Sequence, residues 1–403
     1  MRTLRHINRL GFVTLVVILW APSNSTWASP VAPQGREAIL APAEDSQESV
    51  RIRSKLAEPV TLEFVETPLS DVIDFLRDYT TVNILLDKPS LEEQGVTSDT
   101  PMLIHVQGIT IASALQTMLS PFRLTWIVRD DCLVITSQKE SDRHIVTRSY
   151  PVGDLAATAE EGAKLVDLAR RVIAYGREEL PESRIPFLDS LKAIVLTHNP
   201  AGHARLARLL EELRGTPSES DAIKRIHEKL NDPVTLEFVE TPLSDIVDFL
   251  KDLTQVNIVL DRRAIEEEGV TNDTPISVHL QAVAIRLALG TMLNQLNMTF
   301  RLENDCLVVT SQVQSESRCE IRAYSTKPPA SRPSLSREEW LRLAQSVVQP
   351  RPNNQKSREG TPGPPMIDFF DPQGRLVVYG PDSLQSNIQS LIALVTKTSE
   401  QTK

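Results

Sequence analysis

His105 and His279 stand 174 residues apart in matching surroundings, IHVQ and VHLQ. A recurring histidine is the first place to look for proton transfer or metal binding. Each stands alone, with no second histidine, cysteine or carboxylate at a ligand spacing, so both are expected to be solvated strand residues. Asp99 and Asp273, in SDTP and NDTP just before a strand, have too few oxygen ligands nearby for calcium and read as Asx-type turns. Glu92 with Glu93, and Glu266 to Glu268, are neighbours in sequence only. Their side chains point apart on a helix or turn, which gives an acidic rim and not a general acid and base. Arg205, Arg208 and Arg214 alternate with Glu211 and Glu212, so that helix is expected to show solvent a mixed-charge face, not a phosphate-binding patch. Cys132 and Cys306 open the strands CLVIT and CLVVT and read as small buried hydrophobes. A Cys306 to Cys319 bridge is left open, and none of the three cysteines has zinc spacing.

No nucleophile elbow, P-loop, dinucleotide glycine pattern or His-Glu-x-x-His occurs. No enzyme activity, cofactor, metal or small-molecule substrate is therefore expected. A net charge of -10 without a basic cluster argues against nucleic acid, whose binding depends on Lys and Arg neutralising phosphates. The first residues read as a secretory signal, 1-28: Arg2, Arg5 and Arg9, the apolar run Leu10 to Trp20, then small residues up to Ala28. The run is well short of the roughly 20 residues that cross a bilayer. The expectation is an exported chain in the periplasm, peripheral to the outer membrane, with a disordered linker over 29-47.

The elements that would position these residues come in two copies. PVTLEFVETPLSD from Pro59 recurs unchanged from Pro233, and the match runs ungapped to Gln138 and Gln312. A short helical lead, from Glu48 and from Asp221, opens each copy. Val60, Leu62 and Phe64 then alternate with polar residues as a half-buried strand. Thr67 is the expected N-cap and Pro68 the first helical residue, ahead of the stripe Leu69, Val72, Ile73 and Leu76. NILLD is a strand, followed by an acidic connection through Glu92, Glu93 and Gly95. Met102, Ile104 and Val106 mark the next strand and Ile111, Ala114, Leu115, Met118 and Leu119 the next helix. LTWIV and CLVIT then form a hairpin at Asp130 and Asp131. After each copy comes strand, helix, strand, strand, helix: VTRSYP, the stripe Leu165, Leu168, Ala169, Val172 and Ile173, RIPFLD, KAIVLTH and AGHARLARLLEELR. In the second copy these are Tyr324 and its neighbours, Trp340, Leu343, Ala344, Val347 and Val348, MIDFF, RLVVYG, and Ser383 to Val395. The Pro-rich stretch 349-365 reads as a disordered insertion.

On the PL-x-D-hh-x-FL core and the terminal hairpin DDCLVITS, residues 57 to 138 and 231 to 312 resemble the short N-terminal domain shared by secretins and TonB-dependent receptors. The units that follow resemble the ring-building periplasmic domain of secretins, although EIRAYSTKPPA departs from the pattern after Tyr324. The resemblance implies an α+β chain of four small domains in two tandem repeats, each a βαββαββ domain followed by a βαββα domain. The boundaries are 48-140, 141-215, 216-314 and 315-397. No long C-terminal run of alternating strands is seen, so the chain is not expected to form the pore.

The stretch that is identical in both copies includes positions a core does not dictate. Glu63, Glu66 and Ser70, with Glu237, Glu240 and Ser244, are therefore candidate partner-binding residues. The alternative is helix capping and dipole complementarity by Thr67, Ser70 and Asp71. The resemblance implies a non-enzymatic interaction or scaffold protein with a protein partner, a secretin or another component of a secretion or pilus system. A periplasmic adaptor for TonB-type or anti-sigma-factor signalling is the second reading. Oligomeric state is left open.

Overall fold

The computed structural model describes residues 46–175, 185–215, 220–326, 335–348 and 365–397, all within one compact unit, Pro42–Lys403. The signal, the linker up to residue 45 and the insertion 349–364 lie outside the described residues.

The first repeat opens with α1 (Gln47–Leu56), capped by the Ser46 hydroxyl. It continues through β1 (Pro59–Pro68), α2 (Leu69–Thr80), β2 (Ile84–Leu86), α3 (Lys88–Glu92), β3 (Pro101–Thr110), α4 (Ile111–Leu119), β4 (Leu124–Arg129) and β5 (Cys132–Ser137). β1 pairs with β3 as a two-stranded antiparallel ladder. β2 pairs in parallel with β5, which forms the antiparallel hairpin with β4. Asp130 and Asp131 both take positive φ, the left-handed pair that a two-residue hairpin requires. Leu69, Val72, Ile73 and Leu76, with Ile111, Ala114, Leu115, Met118 and Leu119, are buried in one core with Met102, Ile104 and Val106.

A short α5 (Gln138–Arg143) leads to β6 (Val146–Pro151), α6 (Ala159–Ala174), β7 (Phe187–Leu188), β8 (Ala193–His198) and α7 (Pro200–Arg214), with strand order β6-β8-β7. A full capping box, Thr158 with Glu161, starts α6.

The second repeat follows the same order: α8 (Asp221–Leu230), β9 (Pro233–Pro242), α9 (Leu243–Thr254), β10 (Ile258–Leu260), α10 (Arg262–Glu267), β11 (Pro275–Ala284), α11 (Ile285–Asn294), β12 (Met298–Glu303) and β13 (Cys306–Ser311). Then come α12 (Gln312–Ser317), β14 (Glu320–Ser325), α13 (Arg337–Ser346), β15 (Met366–Phe370), β16 (Arg375–Gly380) and α14 (Asp382–Lys397). The chain is α+β, built from repeated small sheets with helices packed on them.

Several expectations are corrected. Thr67 lies in β1, its hydroxyl donating to the Val65 carbonyl, and the helix that follows has no side-chain cap. The free donors of α2 are instead met by the loop ahead of β3: Leu69 N–H donates to Thr100 O at 3.0 Å and Ser70 N–H to Ser98 O at 2.9 Å. That loop is closed by Thr97 N–H donating to the Thr100 hydroxyl, so the threonine, not Asp99, makes the turn. The corresponding turn at Asp273 is closed by Thr271 and Thr274. The acidic connection contains helices, α3 and α10, whose Leu91 and Ile265 reach the cores. In the second copy Leu341, not Leu343, packs in the core beside Ala344, and Val347 and Val348 pack on that core from just beyond the helix end. Cys306 and Cys319 are both free thiols, and Cys132 is only half-buried.

The largest correction concerns α7. Arg208, Glu211 and Arg214 stay partly exposed, but Glu212 leaves the expected solvent face, because the two repeats pack against each other there. Ile321, Phe370, Val377 and Tyr379 of the second repeat share one core with Leu165, Leu209 and Leu213 of the first. Glu212 is buried; its carboxylate accepts the Ala323 N–H at 2.9 Å and pairs with Arg208 at 2.8 Å. Arg205 donates to the carbonyls of Ile173 and Tyr175 and lies 5.8 Å from the Tyr379 ring centre. Arg214 holds Asp154 at 2.7 Å. A second joint lies between the preceding units. Cys306 and Val308, on the outer face of β13, together with Val259, pack into the first repeat's core. There Ser113 of α4 donates to Asp305 at 2.6 Å, and Gln107 and Asn257 exchange two hydrogen bonds, at 2.8 and 2.9 Å.

Candidate functional site

β1 and β9 carry the candidate residues in the same setting. Glu63 faces His105 across the ladder, its carboxylate 3.8 Å from Nδ1; Glu237 faces His279 at 4.0 Å. All four side chains are exposed, so these pairs contribute little to stability. The histidines also contact Gln107 and Gln281, two residues on. Among the described residues no group of three or more His, Cys, Asp or Glu could hold a metal ion.

Glu66 and Glu240 sit in bulges, where the register slips between Phe64 and Thr67 in β1 and between Phe238 and Thr241 in β9. Both take φ of 49°, in the left-handed region where a side chain meets steric resistance and glycine does not. The bulge turns Val65 and Val239 outward, 67% and 75% exposed. Ser70 and Ser244 are half-buried at the helix starts, their hydroxyls directed at Asp71 and Asp245.

Sequence reasoning missed the apolar half of this surface. Phe64 meets Phe75 edge-on at 5.5 Å, and Phe75 stacks on Tyr79 at 5.9 Å. In the second copy Phe238 meets Phe249 at 5.6 Å, and Leu253 takes the place of Tyr79. Phe75, Tyr79, Phe249 and Leu253 are all exposed. The signal was present: Phe75 and Tyr79, like Phe249 and Leu253, stand four apart off the core stripe, where a helix places them on one outer face. Exposed Asp71, Asp74 and Asp78 surround the first patch and Asp245, Asp248 and Asp252 the second. Each patch is thus an apolar strip of valine and rings in a carboxylate frame, beside a β1 or β9 edge that no other strand covers among the described residues.

A mixed-charge cavity of about 920 Å³ is lined mainly by the second repeat, with Arg286, Arg301, Glu303, Asp305, Arg322 and Asp382 among others, and by Arg208 of α7. Arg301 places Nε and Nη2 on Glu303 Oε2 at 2.7 Å, and Arg318 also reaches Glu303. Ser220 donates to Asp305 on the same wall, and Arg301 Nη1 is buried without a partner.

No family model matches the chain, and no curated protein matches it. Among solved structures it is similar, at low TM-score, to N-terminal domains of secretins. The N-terminal domain of the secretin XcpQ from Pseudomonas aeruginosa is 10% identical with a TM-score of 0.16, covering 84% of this chain and 100% of that one. The GspC–GspD complex of the type II secretion system from enterotoxigenic Escherichia coli is 12% identical with a TM-score of 0.15, over 41% and 98%. The type IV competence pilus secretin PilQ of V. cholerae is 14% identical with a TM-score of 0.17, over 38% and 37%. TM-scores of this size carry no structural conclusion, and the architecture above stands on its own strand pairings. Among the described residues no helix is long and apolar enough to cross a membrane.

Proposed function

We propose that this chain is a non-enzymatic, exported interaction protein that uses the same docking surface twice and works beside a secretin-type secretion or pilus assembly in the periplasm. The surface is Glu63, Glu66 and Ser70 with Val65, Phe75 and Tyr79, and again Glu237, Glu240 and Ser244 with Val239, Phe249 and Leu253. The observation that carries this reading is the pair of identical bulges. Capping by Thr67 does not explain the shared sequence, since Thr67 caps nothing. Nor does backbone preference explain a glutamate at positive φ in both copies. An exposed valine and ring strip framed by carboxylates fits an extended partner segment that adds to the free strand edge and presents apolar and basic side chains. Two linked copies raise the avidity for a partner that has repeated sites of its own.

The test is co-purification from detergent-solubilised envelopes of the source cells, with the chain tagged at its C-terminus. Recovery of a secretin, and its loss when the four glutamates become lysines, supports the proposal. Recovery instead of a regulator with one membrane-spanning helix would favour the signalling adaptor.

A further inference from the structure

Arg301 lies on β12 opposite Val308, where the first repeat pairs Ile127 with Val134. Both positions are buried, Ile127 at 4% and Arg301 at 8% exposure. The second repeat thus places a guanidinium where the first packs an apolar side chain, and a buried charge is costly unless its donors are met. They are not all met. Nε and Nη2 hold the same oxygen of Glu303, each at 2.7 Å, while Nη1 is closed to water and has no partner among the described residues. A stranded donor of this kind calls for an explanation.

Two further changes accompany it. Glu303 stands where the first repeat has Arg129, and Arg286 where it has Ala112. Glu303 is also held by Arg318, so it keeps a partner when Arg301 turns away. Arg286 is exposed and meets the His227 imidazole at 3.2 Å, with no carboxylate paired to it among the described residues. Arg301, Glu303, Arg286 and His227 all line the cavity of about 920 Å³.

Most carboxylates of that wall are already engaged. Arg322 lies 3.2 Å from Glu320 and 3.6 Å from Asp382, and Asp305 accepts the hydroxyls of Ser113 and Ser220. Glu316 is exposed and has no ion pair among the described residues. After pairing within the wall, the cavity therefore keeps unmet guanidinium donors and one unmet carboxylate. Its volume is within the range of small-molecule sites and well beyond what a lone ion fills.

We propose that this cavity binds a short peptide by its free carboxylate and its free amino group. Arg301 turns onto the carboxylate, Arg286 adds a second guanidinium, and Glu316 takes the ammonium. Arg318 keeps Glu303 neutralised meanwhile. The site is separate from the docking surface on β1 and β9, none of whose residues line it. It lies where α7, α8, the β12–β13 hairpin and α14 meet, so an occupant ties these elements together.

Isothermal titration calorimetry of the whole purified chain tests this with trialanine, its C-terminal amide, its N-acetyl form and inorganic phosphate. Trialanine is expected to bind, and blocking either end to weaken binding by about tenfold or more, the worth of a hydrogen bond to a charged group. Arg301→Ile restores the first repeat's apolar pair, and Arg286→Ala changes an exposed residue. Each is expected to weaken trialanine binding to the same degree. The melting temperature of the free Arg301→Ile chain should stay level or rise, because exchanging a buried charge for an apolar residue is often neutral or stabilising. Three results overturn the proposal: no trialanine binding, binding indifferent to blocked ends or to both substitutions, or phosphate binding in its place, which would mark a plain anion site.

Discussion

The buried carboxylate of Glu212 accepts the backbone N–H of Ala323 at 2.9 Å, joining the last helix of the first repeat to the opening strand of the last unit, 111 residues on. Replacement by alanine leaves that N–H and the Arg208 guanidinium without their acceptor. We expect Glu212→Ala to lower stability by about 1–3 kcal/mol, the cost of stranding buried polar groups, read from the denaturant midpoint. A loss within about 0.5 kcal/mol, usual for a surface residue, would mean that Glu212 faces water after all.

Cys306 reports on the other joint. Burial, with Asp305 beside it, pushes its thiol up to about 12. At pH 8 roughly one molecule in ten thousand then carries the reactive thiolate. Labelling of the native chain with a thiol reagent followed by peptide mapping should find Cys132 modified and Cys306 protected until the chain is unfolded. Rapid labelling of Cys306 in the native chain would show that the joint opens freely.

His203 gives the fold a pH dependence. It is buried, accepts the Tyr150 hydroxyl on Nδ1 at 2.8 Å and donates from Nε2 to the Val146 carbonyl at 3.0 Å. Burial, aided by Arg148 and His198, lowers its pKa. The folded pKa lies below the unfolded one, so the contribution is present above about pH 6.5 and is lost as pH falls. Denaturant midpoints should drop as pH falls below about 6.5, and His203→Gln should flatten the drop. An unchanged slope in the variant would assign the effect elsewhere.

Much of this architecture was legible in the sequence because each small unit buries a regular stripe. Leu69, Val72, Ile73 and Leu76 announce a helix whatever lies beyond them. What was not legible depends on residues far along the chain. Thr67 has the composition of an N-cap, but the carbonyls of Ser98 and Thr100 reach the helix start first. Glu211 and Glu212 read alike, and only the placement of β14 makes the second a buried acceptor. A continuous apolar strand implies cover on both sides. The run LVVY at 376–379 is apolar on both faces, but so is AIVL at 193–196 in its counterpart β8, so the pattern did not set this joint apart. The docking patch was half legible, since identity between copies marked Glu63 and Glu66 but the outward rings escaped notice.

Glu66 separates backbone preference from binding. At φ 49° a glycine is the easier residue, so Glu66→Gly should leave stability unchanged or raise it by up to about 1 kcal/mol. The same change should weaken partner capture. Destabilisation together with unaffected capture would assign the glutamate a structural role.

The most direct test is the affinity of the purified secretin complex for immobilised chain carrying Glu63→Lys and Glu66→Lys, Glu237→Lys and Glu240→Lys, or all four changes. Either pair alone should weaken capture by about tenfold to a hundredfold through lost avidity. The fourfold variant should abolish capture while its melting temperature stays that of the wild type. Undiminished capture by the fourfold variant, or a collapse of its stability, would contradict the account.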